Sequence, residues 1–100
     1  MITLQDIILN SKPHPVVRDG RITKIENDSL TFSIVGGGMG LYGDFSTDFE
    51  VAVIDNETGD FITDRVIPHS EPGGVAGYIS GEELVDFVNQ TLSEGNFQFL

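Results

Sequence analysis

Leu30, Phe32 and Ile34 alternate with Thr31 and Ser33, and Phe49, Val51 and Val53 alternate with Glu50 and Ala52. A period of two is the pattern of a strand with one buried face, so both segments are predicted strands. The stretch from Val16 to Val35 reads as a small meander. Asp19-Gly20 is its first tight turn, since both residue types tolerate positive φ, and Val16 and Val17 lead into it. Asn27-Asp28-Ser29 makes the next turn through side chains that bond their own backbone. The Ile22–Ile25 spacing breaks strict alternation, which predicts a bulge or strong bend. A small closed barrel needs such a bend to turn its corner. Downstream, residues 55–60 form a hairpin tip, and Phe61 to Ile67 is its return strand, stopped by Pro68. Val75 to Ile79 is a further short strand, and Phe97 and Phe99 flank Gln98 in a terminal strand.

Two segments carry helical spacing instead. Residues 3–10 form a short helix with Thr3 as cap, Asp6 three residues on, and Leu4, Ile7 and Ile8 as its buried stripe. Lys12-Pro13-His14-Pro15 ends it. Ser80-Gly81-Glu82-Glu83 is a capping box that opens a helix over about residues 81–94. Leu84, Phe87, Val88, Thr91 and Leu92 line its buried face, and Gly95 stands where a C′ glycine belongs. One domain over residues 1–100 is expected, mainly β with a helix at each end, as a small barrel or an α+β sheet. Phe32, Phe49, Phe61 and Phe87 are its core aromatics. Exposed strand edges invite pairing with a second copy.

Composition narrows the classes. The chain lacks cysteine, so it holds no disulfide and no thiolate zinc site. No apolar run approaches the roughly 20 residues of a membrane span, and Met1–Leu9 carries no signal-peptide pattern. No membrane partner and a cytoplasmic setting are expected. The net charge is −11, against charge-driven binding of nucleic acid. Its distribution changes that picture: residues 12–24 hold Lys12, Arg18, Arg21 and Lys24 against Asp19 alone, a segment of +3 on a remainder of −14.

Candidate chemistry is sparse. Gly38 to Gly43 spells G-x-G-x-x-G, yet residues 44–51 head into a strand, whereas a dinucleotide site needs a helix there. It reads as a flexible inter-strand loop. Asp44, Asp48, Glu50, Asp55, Glu57, Asp60 and Asp64 crowd one hairpin, but the loop lacks the later bidentate Glu of an EF-hand, and no metal or cofactor is expected. His14 and His69 have no spacing that makes a triad with Ser70 and an aspartate, so no enzyme is expected. Tyr42, Phe45 and Tyr78 lie in or near loops, where aromatics can stack bases.

Arg18-Asp19-Gly20-Arg21-Ile22, then Ile25, then Leu30, Phe32 and Ile34, preceded by a short helix, resemble the first half of the Sm/LSm-like family of small RNA-binding barrels. The likeness covers about residues 3–67 and looks most like a phage-derived, cyanophage-like member. It implies a strongly bent five-stranded barrel of Sm-like or SH3-like kind, with an added C-terminal helix and strand. It also implies a homo-oligomeric ring that binds RNA or single-stranded DNA. By position the binding residues it implies are Asn27, Asp28 and Ser29, with His69 and the basic Lys12, Arg18, Arg21 and Lys24. Ser29 stands where the family places a base-reading Asn, and the family's later Arg-Gly is absent. The acidic remainder supports a second reading: a protein-binding module, such as a phage inhibitor or DNA mimic acting on a host protein.

Overall fold

The strands predicted from the alternation at Leu30–Ile34 and Phe49–Val53 form the centre of one antiparallel sheet. The structure, a computed structural model, describes residues 1–68, 70–92 and 96–100. Its elements run α1 (Leu4–Leu9), β1 (Lys12–Pro13), β2 (Arg21–Glu26), β3 (Leu30–Gly36), β4 (Asp48–Asp55), α2 (Thr63–Val66), β5 (Ala76–Ser80), α3 (Gly81–Leu92) and β6 (Gln98–Phe99). The sheet has six strands in the order β1-β2-β3-β4-β5, and β6 also pairs with β2. β1 takes the first half of the outer edge of β2, at Ile22 and Arg21, and β6 takes the second half, at Ile25 and Glu26. Among the described residues these pairings follow an open path. They make a small α+β fold, mainly antiparallel sheet with three short helices.

Ile25, Phe32 and Val53 stand opposite one another across three strands, as do Ile34 and Val51 across two. All five are fully buried, and with Phe49 they make the inner face of the sheet. α1 covers that face with Ile7, and α3 covers it with Leu84, Val88 and Leu92. Burying such side chains stabilises the fold by about 1.5–3 kcal/mol each. The radius of gyration, 12.3 Å, is near the ~13 Å of a folded chain of this length. No described helix is long and apolar enough to cross a membrane.

Both helix starts follow the expected chemistry. Thr3 and Asp6 form a complete capping box: Asp6 N–H donates to Thr3 Oγ1 at 3.1 Å and Thr3 N–H to Asp6 Oδ2 at 2.9 Å. At α3 the Glu83 N–H donates to Ser80 Oγ at 3.2 Å, but the Glu83 carboxylate accepts from the Ser80 hydroxyl rather than its backbone. The expected end of this helix and its C′ glycine, at Glu94 and Gly95, lie outside the described residues.

Several expectations need correction. Val16 and Val17 are not a strand; Val16 is 85% exposed, and Asp19-Gly20 belongs to a longer loop. The ladder ends where His14 N–H meets Gly20 O at 2.8 Å, and residues 15–19 bulge out beyond it. β2 has no bulge: its register with β3 is continuous from Arg21 to Glu26. Thr23 takes the inward position beside Ile25, and Ile22 points to the other face, which accounts for the broken apolar alternation. The sheet's register shift lies between β4 and β5 instead. Phe61 to Ile67 does not return as a strand. After a single bridge from Phe61 to Ile54, the Thr63 hydroxyl accepts the Val53 N–H at 3.0 Å and α2 begins. β4 has one free edge, and β5 occupies the part that such a return strand would need. Phe61 is therefore 41% exposed rather than core, and Ile8 is 37% exposed on the outer side of α1.

Candidate nucleic-acid interface

Lys12, Arg18 and Lys24 are spread along β1, β2 and the loop that leads from one to the other. Lys12 pairs with Ile22, and alternate residues of a strand share a face, so Lys12, Ile22 and Lys24 lie together on the face away from the helices. Both lysines are exposed. Arg18 is exposed in the turn from Val17 to Gly20, closed by Gly20 N–H to Val17 O at 3.1 Å, with Asp19 at φ 64°. Arg21 projects to the opposite face and is committed locally. Its Nη2 donates to Ser11 O and Ser11 Oγ, both at 2.9 Å, and its Nε to Ser11 Oγ at 3.2 Å. It ties β2 to the link between α1 and β1.

Asn27, Asp28 and Ser29 follow the end of β2, with Asn27 about 10 Å along the strand from Lys24 and about 17 Å from Ile22, the partner of Lys12. Asn27 Oδ1 accepts the N–H groups of Ser29 and Leu30, at 2.8 and 2.9 Å. The Asn56 side-chain amide then donates to Asn27 O at 3.0 Å, and Thr31 Oγ1 donates to Asn56 Oδ1. The Asn27 side-chain oxygen is thus spent on its own turn and its main-chain oxygen on Asn56, while Asp28 and Ser29 are exposed beside it. This turn borders a shallow cavity of about 250 Å³ shared with Phe97 and Gln98. The implied binding residues are therefore strung along β2, with Lys24 between the Lys12 position and the Asn27 turn. His69 lies outside the described residues.

The loop from Gly36 to Gly43 is packed, not slack. A Cβ on Gly38 would stand 2.4 Å from Val17 Cγ1, and one on Gly43 would stand 2.7 Å from Phe49 Cα. The glycines let the loop lie against the Arg18–Gly20 turn and against β4. No helix starts after Gly43.

Four residues of the acidic hairpin, Asp44, Asp48, Glu50 and Asp55, cap backbone N–H groups. Asp44 Oδ1 accepts from Ser46, Thr47 and Asp48, and its Oδ2 from the Thr47 hydroxyl at 2.7 Å. These donors, the Thr47 hydroxyl foremost, hold the Asp44 carboxyl far below its ordinary range. Asp48 accepts from Asp44 N–H, Asp55 from Glu57 N–H, and Glu50 from Tyr42 N–H. Among the described residues no three His, Asp or Glu side chains converge as metal ligands would. His14 is likewise structural: its Nδ1 accepts from Val16 and Val17 N–H at 3.1 and 3.0 Å, and it holds the loop beyond β1.

Of the three loop aromatics, Phe45 is buried against Phe49, with ring centroids 5.2 Å apart, and offers no face to a ligand. Tyr42 and Tyr78 are 51% and 67% exposed and form a tilted pair at 5.9 Å. They sit at the β5 edge, three strands from β2. The surface feature that sequence spacing misses is this pairing, because a β-bulge brings Tyr78 onto Tyr42. No family model matches the chain, and no curated protein or solved structure matches it.

Proposed function

We propose that this chain is a non-enzymatic, Sm-like small-barrel protein, of phage type and acting in the cytoplasm, that assembles into a ring and binds RNA or single-stranded DNA through the basic residues on and beside β2. The observation that carries the reading is the exposed group of Lys12 and Lys24 on one face with Arg18 in the adjoining loop. Phosphate contacts of this kind supply sequence-independent affinity. Three cations on an acidic body bind weakly alone, and a ring that repeats them raises avidity. The outer edges of β5 and of β1 with β6 support self-assembly, since unpaired edges recruit further strands.

Fluorescence anisotropy with labelled U-rich RNA, mixed RNA and single-stranded DNA, at low and near-physiological salt, tests it. The expected result is saturable binding that weakens with salt and is lost in Arg18→Glu/Lys24→Glu. Binding absent at low salt, or indifferent to that double variant, overturns it.

The acidic surface favours a second reading, a module that occupies the basic groove of a host protein. Glu57, Asp60, Asp64, Glu82, Glu83 and Asp86 are all exposed. Under this reading oligonucleotides do not bind, and basic-groove proteins are retained on the immobilised chain.

A further inference from the structure

The helix side of the sheet carries a groove of about 500 Å³ between residues 1–4 and α3. Met1 and Leu4 form one wall, Gly81 and Val85 the other, and the buried Ile2 lies at its base. Leu4 and Val85 are only half-buried and Met1 is fully exposed, so the apolar walls stand open to water. Two contacts preform the groove. A Cβ on Gly81 would stand 2.7 Å from Leu4 Cδ2, so glycine lets that side chain close against the start of α3. The Asn89 side-chain amide brackets Ile2: Ile2 N–H donates to Asn89 Oδ1 and Asn89 Nδ2 donates to Ile2 O, both at 2.8 Å. A partner therefore meets a fixed surface, and little is lost in ordering it.

The same geometry selects the occupant. Thr3 N–H donates to Asp6 Oδ2 and Thr3 O accepts the Ile7 N–H, so both main-chain groups of Ile2 and of Thr3 are already paired. The groove offers no strand edge, and an extended peptide would leave its own N–H and C=O groups unpaired there. A helix pairs its own, and its apolar stripe matches apolar walls. Charge narrows the choice further. Of the carboxylates on α1 and α3, Asp6 and Glu83 are engaged by Thr3 and Ser80, whereas Glu82 and Asp86 are exposed on the groove's rim. These two are four residues apart, one turn of α3, and match cations one turn apart on a helix alongside. A second copy of this chain, with its charge of −11, brings like charge to that rim, as do nucleic acid and an anionic membrane. We propose that the α1–α3 groove docks an amphipathic helix of a cationic protein partner, its apolar stripe between Leu4 and Val85 and its Lys or Arg residues against Glu82 and Asp86. This goes beyond the acidic-module reading, because this chain supplies the groove and the partner supplies the helix. Lys12 and Lys24 lie on the sheet face away from these helices, so the groove is independent of nucleic-acid binding.

The test is a two-dimensional NMR titration of the whole chain, at near-physiological salt, with a synthetic helical peptide about four turns long. Leucines line one face of the peptide, with lysines four residues apart beside them. Control peptides carry alanine for leucine, glutamate for lysine, or a central proline that breaks the helix. Saturable shifts at Leu4, Gly81 and Val85 are expected, with affinity at least tenfold weaker for every control. Glu82→Lys/Asp86→Lys should bind the lysine peptide at least tenfold more weakly and gain affinity for the glutamate peptide, which separates lost charge from lost fold. Arg18→Glu/Lys24→Glu should bind the lysine peptide as the wild type does, so this proposal and nucleic-acid binding fail separately. No saturable shift at the groove, or shifts as large around Asp60 and Asp64, which would show bulk charge attraction, overturns the proposal. Undiminished binding of the alanine or proline peptide, or of the lysine peptide by Glu82→Lys/Asp86→Lys, overturns it too, as does loss of binding in Arg18→Glu/Lys24→Glu.

Discussion

The Thr23 hydroxyl donates to the Ile7 carbonyl at 2.7 Å, and both residues are buried. Ile7 lies in the last turn of α1, where carbonyls have no partner within the helix. One hydroxyl on the inner face of β2 therefore satisfies the helix and fixes it to the sheet. Thr23→Val keeps the shape and leaves that carbonyl unpaired, so a loss of about 1–3 kcal/mol is expected in denaturant unfolding. Thr23→Ser, which retains the donor, should lose less; equal losses would refute the role of the bond.

Asp44 predicts a dependence on acid. Its carboxyl is lowered from an ordinary value of 3.8, so the folded state favours the charged form. The stabilisation it provides is complete above the unfolded-state value and is lost progressively below about pH 4 as protons bind. Asp44→Asn should melt below the wild type at pH 7, and the gap should narrow as the pH falls below 4. A gap independent of pH would show that the charge is irrelevant and that only the turn geometry matters.

Gly38 and Gly40 separate close packing from backbone conformation. A Cβ on Gly38 meets Val17 Cγ1 and backbone atoms of Arg18 and Gly20 within 3.0 Å. Gly38→Ala should cost roughly 1–3 kcal/mol through overpacking. Gly40 has open space around it but a φ of +86°, so Gly40→Ala should cost about 1–2 kcal/mol through strain alone. Crowding at Gly38 should also raise proteolytic cleavage within residues 15–20. Unchanged cleavage there would show that the two loops do not support each other.

His14 should matter for the same loop. His14→Ala removes the acceptor for two N–H groups. Faster amide exchange at Val16 and Val17 is the expected outcome, with the centre of β3 unaffected. Protection retained at both amides would refute the capping role.

Local chemistry was legible where it needed no distant partner. The Thr3 and Ser80 caps, the alternation of β3 and β4 and the apolar face of α3 all follow from spacing within a few residues. The same spacing misread positions decided by competition for a shared edge or face. The Ile22–Ile25 spacing implies a bulge only if every inward position is apolar; alternation with Ile25 turns Thr23 inward, and the Ile7 carbonyl satisfies its hydroxyl there. Phe61 to Ile67 has strand character, but β5 holds the edge of β4 it would need.

The candidate surfaces divide in the same way. Four basic residues within 12–24 were evident in sequence, but alternation along β1 and β2 decides that Lys12 and Lys24 share a face and that Arg21 does not. Asn27 was evident as a turn former, yet only the docking of Asn56 shows how fully that turn is held. Tyr42 and Tyr78 are separated by 35 intervening residues, and nothing in their spacing pairs them. The sequence by itself determined the caps, the central strands and the charge asymmetry, since these depend on neighbours along the chain. Tertiary structure decided the open order of the sheet, the bulge in β5 and the tyrosine pair, since these depend on which segment reaches a limited strand edge.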